Sequence, residues 1–298
     1  MPKYTRLIAY NPRDWFSFVF KLHKSDTIRR LFPLIVLIGI YSGFIAYLEL
    51  SFVSQEWRER LRNVTTVHSL LGFVISLALV FRTNSAYDRW WEGRKLWGSL
   101  VNSSRNLAMK LNAILPANDE VNRKFFHRFI PVFSSVLNAH LRSEVTRLAL
   151  DQREHPELAG LNKDKHLPNH VAKVITERVY RLYKDGVIKG DELITLNEQV
   201  QSLTDICGAC ERIKNTPIPF SYSLFIKKFI FFYVMTLPLG FVFSMGYFVI
   251  PVIAFVFYVL ASLELIAEEV EDPFGSDTND LPLDKICENI KKHVAEII

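Results

Sequence analysis

Two pairs of residues have spacings that occur in chemical sites. Cys207 and Cys210 are spaced as in a redox motif or half a zinc site, and His166 and His170 are spaced as on one helix face. The cysteine pair has no second pair and no preceding strand, so we interpret both as structural thiols. Pro168 stands between the histidines and should break the helix that they need, so we expect a solvated loop there.

Other catalytic motifs are missing from the sequence. It contains no Gly-rich phosphate loop, no nucleophile elbow and no His-Glu-x-x-His segment, so we expect no enzyme. Three cysteines are too few for a secreted disulfide framework, which indicates a reducing compartment.

Carboxylates are concentrated near the C-terminus. Six of them occur in the 13 residues from Glu268 to Asp280, a density that suits a hard cation. The oxygen spacing of an EF-hand is missing. The alternative to a cation-binding loop is an acidic helix end that turns into a loop capped by Asp or Asn side chains.

The main structural elements that the sequence predicts are apolar, membrane-spanning helices. The chain is 49% hydrophobic, with mean hydropathy +0.12, 22% charged residues and a net charge of +5, so its apolar residues must be clustered. Residues 31–48, 64–81 and 229–263 carry no Asp, Glu, Lys or Arg. The third stretch is too long for one span and contains Pro and Gly, so we predict two helices joined by a turn near residues 244–247. The count is then four spans.

An even number of spans puts both termini on one side. Arginines and lysines flank the spans mainly on that side, which predicts cytoplasmic termini and a multi-pass protein of the inner (plasma) membrane. The expected organisation is a cytoplasmic N-terminal segment (1–30), spans 1 and 2 (31–81) with an external loop (about 49–63), a helical cytoplasmic region (82–228), spans 3 and 4 (229–265) and an acidic cytoplasmic belt (266–298).

Two features near the second span have alternative interpretations. His68, within an apolar span, either lines a wet cavity or is a neutral histidine bonded to a carbonyl of a neighbouring helix near the outer interface. The basic and aromatic segment 89–97 directly follows the span. We interpret it as an interfacial anchor, and no nucleic-acid partner is expected.

Three blocks together resemble the bestrophin family in its bacterial branch. They are FRTNSAYDRWWEGRKLWG at 81–98, CERIKNTPIPFSY at 210–222 and EEVEDPFGSDTNDLPL at 268–283. The resemblance implies an all-α membrane protein with four transmembrane helices per subunit, assembled as a homopentamer around one pore. Animal members pass anions such as chloride under calcium control, whereas bacterial relatives resemble cation channels.

The resemblance places the narrow pore neck at Phe73, Leu77 and Phe81. Residues four apart share a helix face, and the same face continues outward to Ser69 and Thr65. Rings of apolar side chains offer an ion no replacement for its water, so we expect gating by dewetting or width. The alternative is that the three apolar residues are ordinary helix packing.

The resemblance also implies a cytoplasmic aperture, about 19 residues before Cys210. That count reaches Asp191, with Glu192 beside it, where relatives place an aliphatic residue. A ring of such carboxylates would favour cations. A shift of a few residues would place Ile188 or Leu193 there instead.

The third block matches the family's calcium clasp. Glu269, Asp272, Asp277 and Asp280 fall at clasp positions, but Ser276, Thr278 and Asn279 thin the cluster. We therefore expect no required cofactor and a belt-like role, with calcium binding left open.

The favoured function is a pentameric channel in the lipid bilayer that passes small monovalent ions, with cations preferred over anions. The alternative is a membrane-anchored helical scaffold that binds a cytoplasmic partner without ion flux. A coupled transporter is disfavoured because the apolar stretches 31–48, 64–81 and 229–263 contain no charged residue.

Overall fold

The structure, a computed structural model, describes residues 27–142 and 166–298. Within these two ranges every regular element is a helix. The α-helices are α1 (Thr27–Phe52), α2 (Gln55–Arg62), α3 (Val64–Ile114), α4 (Glu120–Arg142), α5 (Leu167–Lys184), α6 (Gly190–Asn215), α7 (Phe220–Thr236), α8 (Pro238–Met245), α9 (Val249–Glu271) and α10 (Leu283–Ile297). The all-α class expected from the sequence is therefore confirmed for the described residues.

One compact unit, called the apolar unit, comprises described residues 27–89 and 217–271. The most extensive helix packing in this unit is between α1 and α9. The core is aliphatic and is built from all the long helices of the unit. Its buried members include Ile38, Ala46, Ile75, Leu79, Ile230, Val234, Val249 and Ile253.

Among the described residues, three helical stretches are long and apolar enough to cross a membrane: Thr27–Phe52, Val64–Ile114 and Phe220–Glu271. The last one is interrupted. After α8, Gly246 has φ +56° and a short 3₁₀ turn covers Gly246–Phe248 before α9 begins. Glycine adopts this left-handed conformation without steric cost, which makes it the natural residue for the break. The turn overlaps residues 244–247, where the sequence predicts one.

Helix α3 is longer than the sequence analysis expects. The predicted second span ends at residue 81, but the helix continues without a break for 51 residues, a length of about 76 Å. No proline lies within it, and the charged residues that follow Phe81 are compatible with helix. Residues 64–89 of α3 belong to the apolar unit and residues 90–114 to the second unit.

The second unit, called the polar unit, comprises described residues 90–142, 166–216 and 272–298. Helix α4 packs on α5 and α10, and α5 packs on α6. The core of this unit is rich in aromatic side chains that are fully buried. These are Trp97, Phe126, Phe129, Phe133 and Phe274. Most of the N-terminal segment 1–30 lies outside the described residues, as do residues 143–165 of the predicted helical cytoplasmic region.

The loop predicted around Pro168 is wrong. Helix α5 begins at Leu167, and Pro168 occupies its first turn, where a proline costs no hydrogen bond because those N–H groups have no helical acceptor. His166 is the N-cap, and its ring accepts a hydrogen bond from the Asn169 N–H. The proline therefore starts the helix that it was expected to break.

Two helix-interior glycines give a matched test of packing in the polar unit. A Cβ on Gly93 would lie 3.1 Å from the buried Phe274 ring and 3.3 Å from Pro273, whereas nothing lies within 4 Å of a Cβ on Gly208. We expect Gly93→Ala to lower stability by about 1–3 kcal/mol through overpacking. Gly208→Ala should be neutral or stabilising by up to about 1 kcal/mol, because alanine favours helix. Thermal unfolding in detergent measures both, and equal unfolding temperatures for the two variants would refute the packing assignment.

Candidate pore-lining site

The predicted neck residues lie on the exposed face of α3. Phe73, Leu77 and Phe81 are 68%, 46% and 58% exposed in the single chain, whereas Ile75 and Leu79 on the opposite face are 1% and 2% exposed. Three large apolar side chains thus point away from the chain's own core. Their exposure leaves them available to lipid, to other copies of the chain or to a pore.

The two hydroxyl residues predicted to lie on the outer side of the neck, Ser69 and Thr65, differ in their exposure to solvent. Ser69 is exposed, and its hydroxyl donates to the Thr65 carbonyl at 3.0 Å, so it needs no further acceptor. Thr65 is half-buried, and its methyl group lies 3.2 Å from the position of a Cβ on Gly240 of α8. Ser69 therefore continues the exposed face, whereas Thr65 lies at its edge.

Contacts to α7 hold the opposite face of α3. His68, 4% exposed, bonds the Val64 carbonyl at 2.9 Å and the Thr236 hydroxyl at 3.1 Å. One turn later, the Tyr233 hydroxyl lies so close to Gly72 that a Cβ there would be 2.7 Å away. Of the two interpretations of His68, the structure supports the one bonded to a neighbouring helix, although its partner there is a hydroxyl and not a carbonyl.

A buried guanidinium group holds the buried face of α3 next to Phe81. Arg82 is 1% exposed, its Nη2 lies 2.7 Å from Glu271 Oε2, and its Nε lies 3.5 Å from Glu264 Oε2. Glu271 also accepts the Ile218 N–H at 2.7 Å through its other oxygen. One carboxylate therefore joins α3, the start of α7 and the end of α9 beside Phe81.

In the sequence, Arg82 is only one of the positive charges that flank the spans, and no motif singles out Glu264. Glu264 is 4% exposed, although it lies beyond the stretch taken as uncharged. The helical period could have placed Arg82 on the buried face of α3, because Arg82 follows Ile75 by seven residues and Leu79 by three, and both are buried.

The aperture candidates lie at the start of α6 in the polar unit. Asp191 is exposed, but the Glu192 carboxylate accepts the Lys189 N–H at 2.7 Å, a bond that caps the first turn of α6. Ile188 is 2% exposed and belongs to the core, so its side chain cannot line an aperture in this conformation. Ile194, which the sequence analysis did not select, is 66% exposed.

Each of the four clasp candidates has a contact within the chain. Glu269 accepts from Arg30 at 2.6 Å. In the polar unit, the Asp272 and Asp280 carboxylates converge on Gly275, and Asp280 accepts the Asp277 N–H. Burial raises the pKa of Asp280 to about 6, and the charges of Asp277 and Asp272 add to this effect. The described contacts of Asp272, Asp277 and Asp280 form a hydrogen-bonded acidic turn.

The cysteine pair is buried in α6. Cys207 and Cys210 are free thiols, and burial, with a contribution from the Glu211 charge, raises the pKa of Cys207 to about 12. A thiol with so high a pKa is protonated and a weak nucleophile, which agrees with the structural role expected from the sequence.

Comparisons with known proteins decide the family. Residues 7–296 match the family model described as Bacterial/Fungal Bestrophin protein. The chain belongs to the bacterial and fungal bestrophin family. It is 36% identical over 236 residues to a voltage-dependent anion channel-forming protein of Nostoc sp. (76% of this chain, 75% of the relative). It is 30% identical over 282 residues to one of Mesorhizobium japonicum (93% and 87%).

A solved structure has the same fold. A variant of a bacterial bestrophin homologue from Klebsiella pneumoniae aligns with TM-score 0.76 and 27% identity, covering 90% of this chain and 98% of that one. Family membership and the long apolar helices together make the chain a membrane protein.

The buried ion pair predicts a large effect on stability. Arg82→Met leaves the buried Glu264 and the nearby Glu271 without their cation, and breaking such a pair costs about 3–5 kcal/mol. The matched control is Lys227→Met, which removes a pair in the same unit whose partners are about half exposed; it should cost at most about 1 kcal/mol.

Thermal unfolding of the detergent-solubilised protein distinguishes the two variants. Adding Glu264→Gln to Arg82→Met should recover part of the loss, since it removes one uncompensated charge. If Arg82→Met is no less stable than Lys227→Met, the guanidinium does not hold these helices together.

Proposed function

We propose that this bestrophin forms a homopentameric ion channel in which α3 of each subunit lines a central pore. The observation that carries the proposal is the outward-facing stripe of Phe73, Leu77 and Phe81, placed opposite a fully buried face. The family assignment and the channel names of the relatives support it.

The exposed arc of α3 is wide enough for this role. A helix that lines a ring must contact a neighbouring helix on each flank as well as the pore. The large apolar residues left exposed on this arc are Val67, Leu70, Phe73, Val74, Leu77, Val80 and Phe81. Asn84 is exposed on the same arc, and its amide favours a wet or protein-covered surface over lipid. Ser69 and Ser76 are exposed there too, and their hydroxyls donate to carbonyls of their own helix.

In this assembly the neck would consist of three apolar rings. Phe73 to Phe81 spans about 12 Å of helix at 1.5 Å per residue. Apolar rings cannot replace the hydration shell of an ion, so conduction would require that the neck be wide enough to stay hydrated. Small monovalent ions would pass when it is wet, and Ser69 and Thr65 would lie on its outer side.

The proposed topology has four spans, with both termini on the cytoplasmic side of the inner membrane. The break at Gly246 supports two spans between Phe220 and Glu271. A combined α7–α8 segment and the 23-residue α9 are each long enough to cross the hydrocarbon core, which takes about 20 residues.

For charge selectivity, there are arguments both for cations and for anions. An exposed Asp191 ring would favour cations. However, Glu192 is engaged in the helix cap, Lys189 lies two positions from Asp191, and the relatives are named anion channel-forming proteins. Cation preference is thus supported by the acidic aperture and by the resemblance to bacterial cation channels, and ion permeability ratios decide the matter.

The alternative is a membrane-anchored scaffold without ion flux. It requires only that the apolar helices tether the polar unit, and it predicts no pentamer and no current. The mass of the purified particle, compared with five 34.6-kDa chains, separates the two functions.

The neck assignment predicts a change in conductance. Leu77→Ala combined with Phe81→Ala widens and weakens the apolar constriction, so single-channel conductance in planar bilayers should rise or closed times should shorten by severalfold. The control is Leu263→Ala combined with Phe255→Ala, which removes exposed apolar side chains of α9. Currents that are unchanged in the α3 double variant, or altered equally in both, would remove these residues from the neck.

The aperture assignment predicts a change in selectivity. Asp191→Asn removes a ring of up to five negative charges, so the reversal potential in a salt gradient should shift toward that of the anion. Asp185→Asn, an exposed neighbour outside the proposed ring, is the control. If Asp191→Asn leaves the reversal potential in place, this residue does not line the ion path.

A further inference from the structure

A cluster of two histidines and a glutamate lies in the polar unit. His140 is in the last turn of α4, His166 is the N-cap of α5, and Glu211 is in α6. His140 Nε2 lies 2.6 Å from Glu211 Oε1, and His166 Nε2 contacts the same oxygen. The two imidazole rings are 4.6 Å apart between centroids. Three different helices therefore bring three ligand-type atoms within 4.8 Å of one another.

The donor set is one that transition metals prefer. Two imidazole nitrogens and one carboxylate oxygen bind Zn²⁺ in sites that keep a fourth position for water. The side chains of His140, His166 and Glu211 are 34%, 33% and 26% exposed, so an ion has access and a water has room to complete the coordination.

We propose that His140, His166 and Glu211 form a site for a divalent transition-metal ion, with Zn²⁺ as the best-matched cation. The described geometry is the metal-free, hydrogen-bonded form of the site. Ligands at about 2.0–2.1 Å from a tetrahedral zinc are about 3.3 Å apart. The His140–Glu211 pair must therefore separate by less than about 1 Å to admit the ion.

Binding has an identifiable cost. His166 Nδ1 accepts the Asn169 N–H at 3.2 Å, so its proton is on Nε2, the atom that faces Glu211. Coordination through Nε2 requires that the proton leave this nitrogen for Nδ1, which breaks the cap hydrogen bond. Metal binding thus replaces three hydrogen bonds, namely the Asn169–His166 cap bond and the two histidine–glutamate bonds, with three metal–ligand bonds. The exchange makes metal affinity dependent on the first turn of α5.

Occupation of the site would link distant parts of the sequence. His140 and His166 stand on either side of residues 143–165, and Glu211 lies 45 positions beyond His166. A bound ion would hold the end of α4 and the start of α5 against α6. We therefore expect zinc to stabilise the polar unit, because a ligand that binds only the folded state raises its stability.

The test uses the full-length protein in detergent, stripped with EDTA and dialysed, and titrated with ZnCl₂ against a chromophoric chelator. We expect one zinc per chain, a raised unfolding temperature, and an affinity at least about tenfold lower in His140→Ala and in Glu211→Gln. His127→Ala, at an exposed histidine of the same helix, is the matched control and should keep full affinity.

Cobalt provides a readout that does not depend on stability. Co²⁺ at this site should show the visible absorption bands of a four- or five-coordinate ion, and His166→Ala should abolish them while thermal unfolding of the metal-free variant reports that it is folded. Zinc binding of less than one ion per chain, or equal affinity in His140→Ala, Glu211→Gln and His127→Ala, would overturn the proposal.

Discussion

The structure of the apolar unit depends on the buried Arg82 guanidinium group. A charge at 1% exposure is stable only when it is paired, and Arg82 contacts Glu271 at 2.7 Å with Glu264 close by. This contact ties α3 to α9 next to Phe81. Together with the contacts of His68 and Gly72 to α7, it sets the rotation of α3 about its axis. The residues proposed to line the neck are exposed because the opposite face is held in this way.

The sequence predicted the helical class, the apolar stretches and the turn near Gly246, because each follows from local composition and periodicity. It did not predict that α3 runs unbroken from Val64 to Ile114. A change from apolar to charged residues marks where a helix leaves an apolar environment, and it does not mark where the helix ends. Pro168 illustrates the same limit, since its effect depends on whether it lies in the first turn or the interior of a helix.

For the candidate sites, the sequence predicted which face of α3 carries Phe73, Leu77 and Phe81. It could not decide among Ile188, Asp191 and Glu192, because the burial of Ile188 and the capping role of Glu192 arise from tertiary packing and local hydrogen bonds. The His140–His166–Glu211 cluster also escaped prediction. Its members are far apart in sequence and meet only because α4, α5 and α6 pack together.

The central claim, that the α3 stripe faces an aqueous pore, is tested most directly by cysteine accessibility in the conducting protein. Leu77→Cys should react with a charged, membrane-impermeant thiol reagent and change the current, while the native cysteines stay silent because they are buried. Phe255→Cys on α9 is the control and should leave the current unchanged. The account is contradicted if Leu77→Cys conducts normally and its current does not respond to the reagent.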